Sequence, residues 1–165
     1  MTKTDSRQTR LLFICLGNIC RSTAAQTIME KMVKDEGLDD NFVIDSCGLG
    51  NWHVGQLADR RMRDAAYRRG YRLTHHARQI ETGDFDRFDW LITMDDAVYR
   101  DVCRLAPTDE ARQKVVGIDR YFLQYANRSD VPDPYYGGPA DFTLAMDLIE
   151  DACKGLFKAW REGRL

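Results

Sequence analysis

Residues 14–23 read ICLGNICRST: a cysteine at the end of an apolar run, a glycine and an asparagine behind it, and an arginine directly before Ser-Thr. Each residue type suits one part of a nucleophilic site built around an oxyanion. Cys15 supplies a sulfur nucleophile, and a thiol ringed by amides, a helix end and a guanidinium ionises more readily than a free one. Gly17 lets the backbone curl and Asn18 tolerates the left-handed conformation, so successive amides can point inward as an anion nest. Arg21 presents a planar fork that grips two oxygens of one phosphate. Alone, a cysteine closing a buried strand is a small core residue, and an arginine at a helix start is a surface residue. At the spacing Cys-x5-Arg-Ser the two read together as a nucleophile beneath a bound phosphate.

Such a loop needs a strand before it and a helix after it. Apolar runs at 11–15, 42–46, 90–94 and 114–118 read as buried strands. Ala24, Ala25, Ile28, Met29, Met32 and Val33 form one helical stripe over 23–34, and Val98, Val102 and Leu105 form another core stripe over 95–105. Phe142, Ala145, Ile149, Ala152, Leu156 and Trp160 predict a last helix over 140–161. Strands alternating with helices predict an α/β protein: a single doubly wound domain, its parallel sheet covered by helices on both faces. Residues 16–21 then form the turn at the carboxyl edge of the sheet, where open α/β sheets bind ligands. Gly, Pro, Asn and Asp gather at 48–55 and 128–139, which read as loops.

The chain of 165 residues is 44% apolar and 30% charged, which excludes disorder and a disulfide-stapled miniprotein. That length supports one domain over 11–165 behind a polar extension at 1–10. A net charge of -2 argues against a nucleic-acid partner. The stretch LLFIC behind the polar first ten residues is too short for a signal sequence or a membrane span, which predicts a cytoplasmic protein with no membrane partner. Five cysteines without a Cys-x-x-Cys pair predict neither a disulfide framework nor a zinc site. In GLGNWHVG, His53 occupies the third glycine position of a dinucleotide fingerprint, and no G-x-x-x-x-G-K-[ST] run is present. Arg60, Arg61, Arg63, Arg68, Arg69 and Arg72 alternate with Asp59, Asp64, Met62, Ala65 and Ala66, the pattern of a solvated helix face.

The run Cys15-Leu16-Gly17-Asn18-Ile19-Cys20-Arg21-Ser22 resembles the phosphate-binding loop of the low-molecular-weight protein tyrosine phosphatases. The similarity extends over nearly the whole chain, through Asp45-Ser46, the 48–55 loop with Trp52, residues 75–79, Met94-Asp95 and Asp133-Pro134-Tyr135-Tyr136-Gly137. The resemblance implies a four-stranded parallel sheet in the order 2-1-3-4, no metal or other cofactor, and hydrolysis of phosphotyrosine in proteins through a phosphocysteine on Cys15. It makes Asp133 the acid that protonates the leaving oxygen and then the base that activates water. Read by itself, an aspartate between Pro132 and Pro134 is a turn residue. By the same analogy Ser22 donates to the Cys15 thiolate, and Asn18, Ser46 and His75 hold the loop open. His75 equally fits a satisfied core histidine, and Asp95 a helix N-cap. One departure is Thr23, where the family usually has proline; no donor or nucleophile is lost by it.

Substrate choice is expected from the walls: Trp52, Tyr135 and Tyr136 flank a flat ring, and Leu16 and Ile19 line the floor. Related arginine-phosphate phosphatases tend to carry threonine where Ile19 stands, and isoleucine points toward tyrosine. Cys20 is either a thiol that resolves oxidised Cys15, as the family suggests, or a small buried filler. Two rival classes share parts of the pattern. Thioredoxin-coupled arsenate reductases have this loop and fold but use two further cysteines in a flexible segment, and here only Cys103 lies in the comparable region. A non-catalytic phosphate binder should have lost Cys15, Arg21 or Asp133, and all three are present.

Overall fold

Alternate residues of β1 (Thr9–Cys15) enter two different cores. Leu11, Phe13 and Cys15 join one buried cluster, and Leu12 and Ile14 join another. This is the two-residue period of a strand, and burial on both faces explains why LLFIC carries no polar residue. The coordinates are a computed structural model that describes residues 7–165; residues 1–6 of the expected polar extension lie outside the described residues. β1 pairs in parallel with β2 (Phe42–Gly48) on one side and β3 (Trp90–Thr93) on the other, and β3 pairs with β4 (Val115–Gly117). The order is β2-β1-β3-β4, as the resemblance implied. Register places Cys15 beside Gly48 and Ile14 beside Thr93, so three strands end at one edge.

Helices cover both faces. On one, α1 (Arg21–Asp35), α2 (Arg60–Tyr67) and α6 (Pro139–Arg161) bring Ala25, Ile28, Met29, Met62, Ile149 and Leu156 onto Phe13. On the other, α3 (Asp84–Arg87), α4 (Asp96–Leu105) and α5 (Asp109–Gln113) bring Phe85, Val98, Val102 and Ala111 onto Leu12 and Ile14. Full burial of one such large side chain contributes about 1.5–3 kcal/mol, so the sheet is clamped from both sides. Among the described residues no helix is long and apolar enough to cross a membrane.

Several expectations are corrected in detail. Leu105 is not core: it closes α4 and is 51% exposed, with no other element among the described residues packed over the last turn of its stripe. Trp160 and Met32 stand half-buried at the margin of the core, and Trp160 Nε1 donates to Thr9 Oγ1 at 2.9 Å. Pairing of Thr9 with Phe42 starts β1 two positions before the expected residue 11. The fourth strand is shorter than 114–118, since Ile118 begins a 3-10 turn, Ile118–Tyr121. The arginine-rich stretch leaves α2 after Tyr67 and is solvated only in part: Arg69, just beyond the helix, pairs with Asp147 at 2.8 Å, and Arg63 Nε donates to the Ala58 carbonyl.

Candidate active site

The loop joining β1 to α1 is folded by its own sequence. Asn18 has φ 58, the one non-glycine residue in the left-handed region among the described residues. Asparagine tolerates that conformation best of the ordinary side chains. Gly17 has no left-handed backbone; a Cβ there would stand 3.1 Å from the His53 ring, which would have to give way slightly. Gly48, at the end of β2, lies so close that a Cβ would sit 2.9 Å from the Gly17 carbonyl carbon and 3.0 Å from the Asn18 nitrogen. Cys20 is the N-cap of α1 and makes no side-chain capping bond, and no acidic residue lies in the first turn. The first amides of the helix are therefore left for an anion.

Cys15 Sγ lies at the base of this loop, 3% of the residue exposed. The Asn18 amide donates to it at 3.3 Å, and Ser22 Oγ lies 2.9 Å away. Asn18 organises what stands behind. Its Oδ1 accepts from the Arg78 backbone amide at 3.0 Å, which fixes the orientation of the side-chain amide. Its Nδ2 then donates to Ser22 Oγ (2.8 Å) and to Ser46 Oγ (3.0 Å), and Ser46 passes its own hydrogen to Gln26 Oε1 at 2.6 Å. With one lone pair of Ser22 used by Asn18, the single Ser22 hydrogen has two acceptors in reach, Cys15 Sγ at 2.9 Å and the Cys47 carbonyl at 3.4 Å. His75 Nε2 meets Asn18 Oδ1 at 3.0 Å, a contact that requires the proton on Nε2. Burial holds the His75 imidazole below its ordinary value, against the pull of Asp45.

Arg21 is almost wholly buried. Its Nη1 donates to Asp95 Oδ2 (2.7 Å) and to the Val131 carbonyl (2.9 Å). Its Nη2 stands 3.7 Å from Asp133 Oδ2. Burial alone would lower the affinity of the guanidinium for its proton, but Cys15, Asp95 and Asp133 outweigh it and the net shift is upward. Asp95 does two things with one carboxylate: Oδ1 accepts from the Val98 amide at 2.8 Å and caps α4, while Oδ2 aims Arg21. Burial, followed by the Cys15 charge, pushes the Cys20 thiol well up.

Above the sulfur opens a cavity of about 290 Å³. Cys15, Gly17, Ile19, Cys20 and Arg21 form its base, Asp133 stands on one side, and Trp52, His53, Tyr135 and Tyr136 make the walls. Leu16 belongs to the rim rather than to the floor, being 43% exposed. Tyr136 packs edge-on against Tyr135 with ring centroids 4.9 Å apart and is otherwise in solvent. Every expected site residue is thus either on this cavity or, for Asn18, Ser22, Ser46 and His75, in the bonded layer behind it. Asp95, Arg78, Gln26, His53 and the Val131 carbonyl are participants not foreseen as such. Asp95 and Arg78 lay inside segments of the resemblance, whereas nothing in the sequence marks Gln26 or Val131. Among the described residues no group of three or more His, Cys, Asp or Glu is gathered as metal ligands.

A parallel sheet whose first strand ends on a cysteine, with a turn leading into a buried arginine, defines an α/β class with its candidate site at the carboxyl edge of the sheet. Comparison with known proteins narrows the class. The profile of the low molecular weight phosphotyrosine protein phosphatases matches residues 10–164. A low molecular weight protein-tyrosine-phosphatase of Streptomyces coelicolor is 40% identical over 154 residues, covering 93% of this chain and 94% of its own. The crystal structure of a protein tyrosine phosphatase from Entamoeba histolytica, with Hepes in the active site, superposes with TM-score 0.91 at 37% identity, over 96% of this chain and 100% of that one. A Drosophila arginine phosphatase shares the fold with TM-score 0.84 at 27% identity, over 92% and 97% of the two chains. The chain belongs to the low molecular weight phosphotyrosine protein phosphatase family, and its enzyme class is that of the family, a protein phosphatase.

Proposed function

We propose that the protein removes phosphate from phosphotyrosine in proteins in two steps on Cys15. The Cys15 thiolate attacks phosphorus, the bond from phosphorus to the tyrosine oxygen breaks, and Asp133 gives its proton to that oxygen. Asp133 then takes a proton from water, the water oxygen bonds to phosphorus, and the sulfur leaves as thiolate with release of inorganic phosphate. Arg21 holds two phosphate oxygens throughout, and Ser22 steadies the thiolate as nucleophile and leaving group. The observation that carries this reading is the convergence on one cavity of Cys15 at the base, Asp133 at the side and Arg21 between them, its Nη2 3.7 Å from Asp133.

The walls support an aromatic phosphate: the side chains of Trp52, His53 and Tyr135 line the cavity, and Ile19 gives an apolar lining beside the anion site. A second reading, phosphoarginine hydrolysis, is favoured by the likeness to the Drosophila arginine phosphatase. Arsenate reduction is not supported, because Cys47 and Cys153 are buried in the cores and leave only Cys103 partly accessible outside the loop. Peroxide would oxidise Cys15 to a sulfenic acid, and condensation with Cys20 would yield a disulfide and water, a state that dithiothreitol reverses. The substrate reading is tested by metal-free phosphate release from matched phosphotyrosine, phosphoserine and phosphoarginine peptides. The expected order puts phosphotyrosine first; faster release from phosphoarginine would replace it with the second reading.

A further inference from the structure

The two loops of the site come from opposite ends of the chain, and a short run of bonds ties one to the other outside the cavity. The Asp59 amide donates to the carbonyl of Ile19, in the phosphate loop, at 2.8 Å. The Asp59 carboxylate holds Arg61 by two prongs, Nε to Oδ1 at 3.1 Å and Nη2 to Oδ2 at 3.0 Å, and Oδ1 also accepts the Arg61 amide at 2.8 Å. Arg61 Nη2 then donates to the carbonyl of Tyr135 at 2.9 Å. The Tyr135 amide in turn donates to Asp133 Oδ1 at 3.1 Å. The guanidinium also lies 5.5 Å from the centre of the Tyr135 ring and 4.7 Å from that of Phe142 in α6. Both contacts are of cation–π type.

We propose that Arg61 is a positioning residue that sets the Asp133 loop against the phosphate loop, and so places the Asp133 carboxyl over the leaving oxygen. The proposal rests on the reading of Asp133 as the general acid. Asp133 has little other support: its side chain is 37% exposed, and its second oxygen is 3.7 Å from Arg21, beyond hydrogen-bond length. Arg61 supplies what the exposed loop lacks, a charged group that grips a fixed carboxylate and the loop backbone at once. Burial would raise the Asp59 carboxyl, but the bonds from Arg61 outweigh it and hold it below the ordinary range, so the anchor stays ionised at neutral pH. Lysine could not replace this geometry, because an ammonium is a point charge and cannot bridge a carboxylate and a carbonyl through a planar fork. A misplaced acid penalises only substrates whose oxygen must be protonated as it leaves.

The test compares a phosphotyrosine peptide with an aryl phosphate whose phenolate departs without a proton. Arg61→Gln is expected to lower kcat about tenfold on the peptide and by no more than about twofold on the activated ester, with Arg61→Lys in between. The inhibition constant for vanadate should hold, since the phosphate loop is untouched. In an Asp133→Asn background, Arg61→Gln should add nothing, as expected of residues acting through one group. Equal losses on both substrates, no loss on the peptide, or additive losses with Asp133→Asn would overturn the proposal. If Asp133→Asn discriminates between the substrates and Arg61→Gln does not, the positioning role alone falls. If Asp133→Asn itself loses equally on both, the acid lies elsewhere and the proposal falls with that reading.

Discussion

The loop around Cys15 and the loop around Asp133 meet at one cavity but are held in opposite ways. The first is buried, and Asn18 alone links it by four hydrogen bonds to Ser22, Ser46, His75 and Arg78. The second is mostly exposed, with Pro132, Asp133 and Tyr136 in solvent, and it hangs on a few bonds, from the Val131 amide to Met94, from Arg21 to the Val131 carbonyl and from Arg61 to Tyr135. The contrast suits the two tasks proposed for them. A cradle for a charged transition state works best when its dipoles are fixed beforehand. An acid that serves a bulky leaving group has to leave room for that group to enter and depart. Damage to the first loop should therefore hurt every substrate alike, and damage to the second should depend on the leaving group.

The largest effect is expected from the rigid loop. Cys15→Ser should abolish turnover on all phosphoesters while vanadate still binds, because a hydroxyl does not ionise as a thiol does. Appreciable residual turnover would remove Cys15 from the chemistry. Next, Asp133→Ala should cost about 10² to 10⁴ in rate with phosphotyrosine and far less with a readily departing phenol. Parallel losses on the two substrates would erase the contrast between the loops.

How much of this contrast could be read in advance follows from where each loop stores its information. The Cys15 loop stores it locally: nucleophile, left-handed residue and arginine all lie within a few positions, between a strand and a helix that periodicity reveals. The layer behind it was legible only in part. Ser46 and His75 came by resemblance, whereas Gln26 sits on the α1 face as an ordinary polar helix residue until the fold turns it toward Ser46. Asp95 was readable as an N-cap, and it is one, but its second oxygen reaches Arg21 only because β3 lies next to β1. Arg61 shows the limit most clearly. In a run of arginines alternating with acids it reads as solvent-facing, and its bond to Tyr135 spans 74 positions that no local pattern connects. Leu105 departs the other way, since a helical stripe does not reveal which of its turns another element covers.

The smallest effect sharpens the comparison through stability rather than rate. His75 is kept below the ordinary histidine value of 6.5 by burial, so the unfolded chain takes up its proton more readily than the folded one. Its contribution to stability is complete above that ordinary value and is lost as pH falls through the depressed folded value. The thermal midpoint should fall on mild acidification, and His75→Gln, which keeps a donor for Asn18, should flatten that part of the profile. An unchanged slope in the variant would show that the rigid loop does not depend on a neutral imidazole.

The central claim is that phosphate passes through Cys15, and a quench during turnover addresses it most directly. The enzyme is mixed with a phosphotyrosine peptide, stopped during the first turnovers under conditions that preserve thiophosphate esters, digested and analysed by mass spectrometry. The account predicts one phosphate on the peptide that carries Cys15, absent from Cys15→Ser and accumulating when the water step is slowed. Phosphate on another residue, or active enzyme that never carries it at all, would contradict the account.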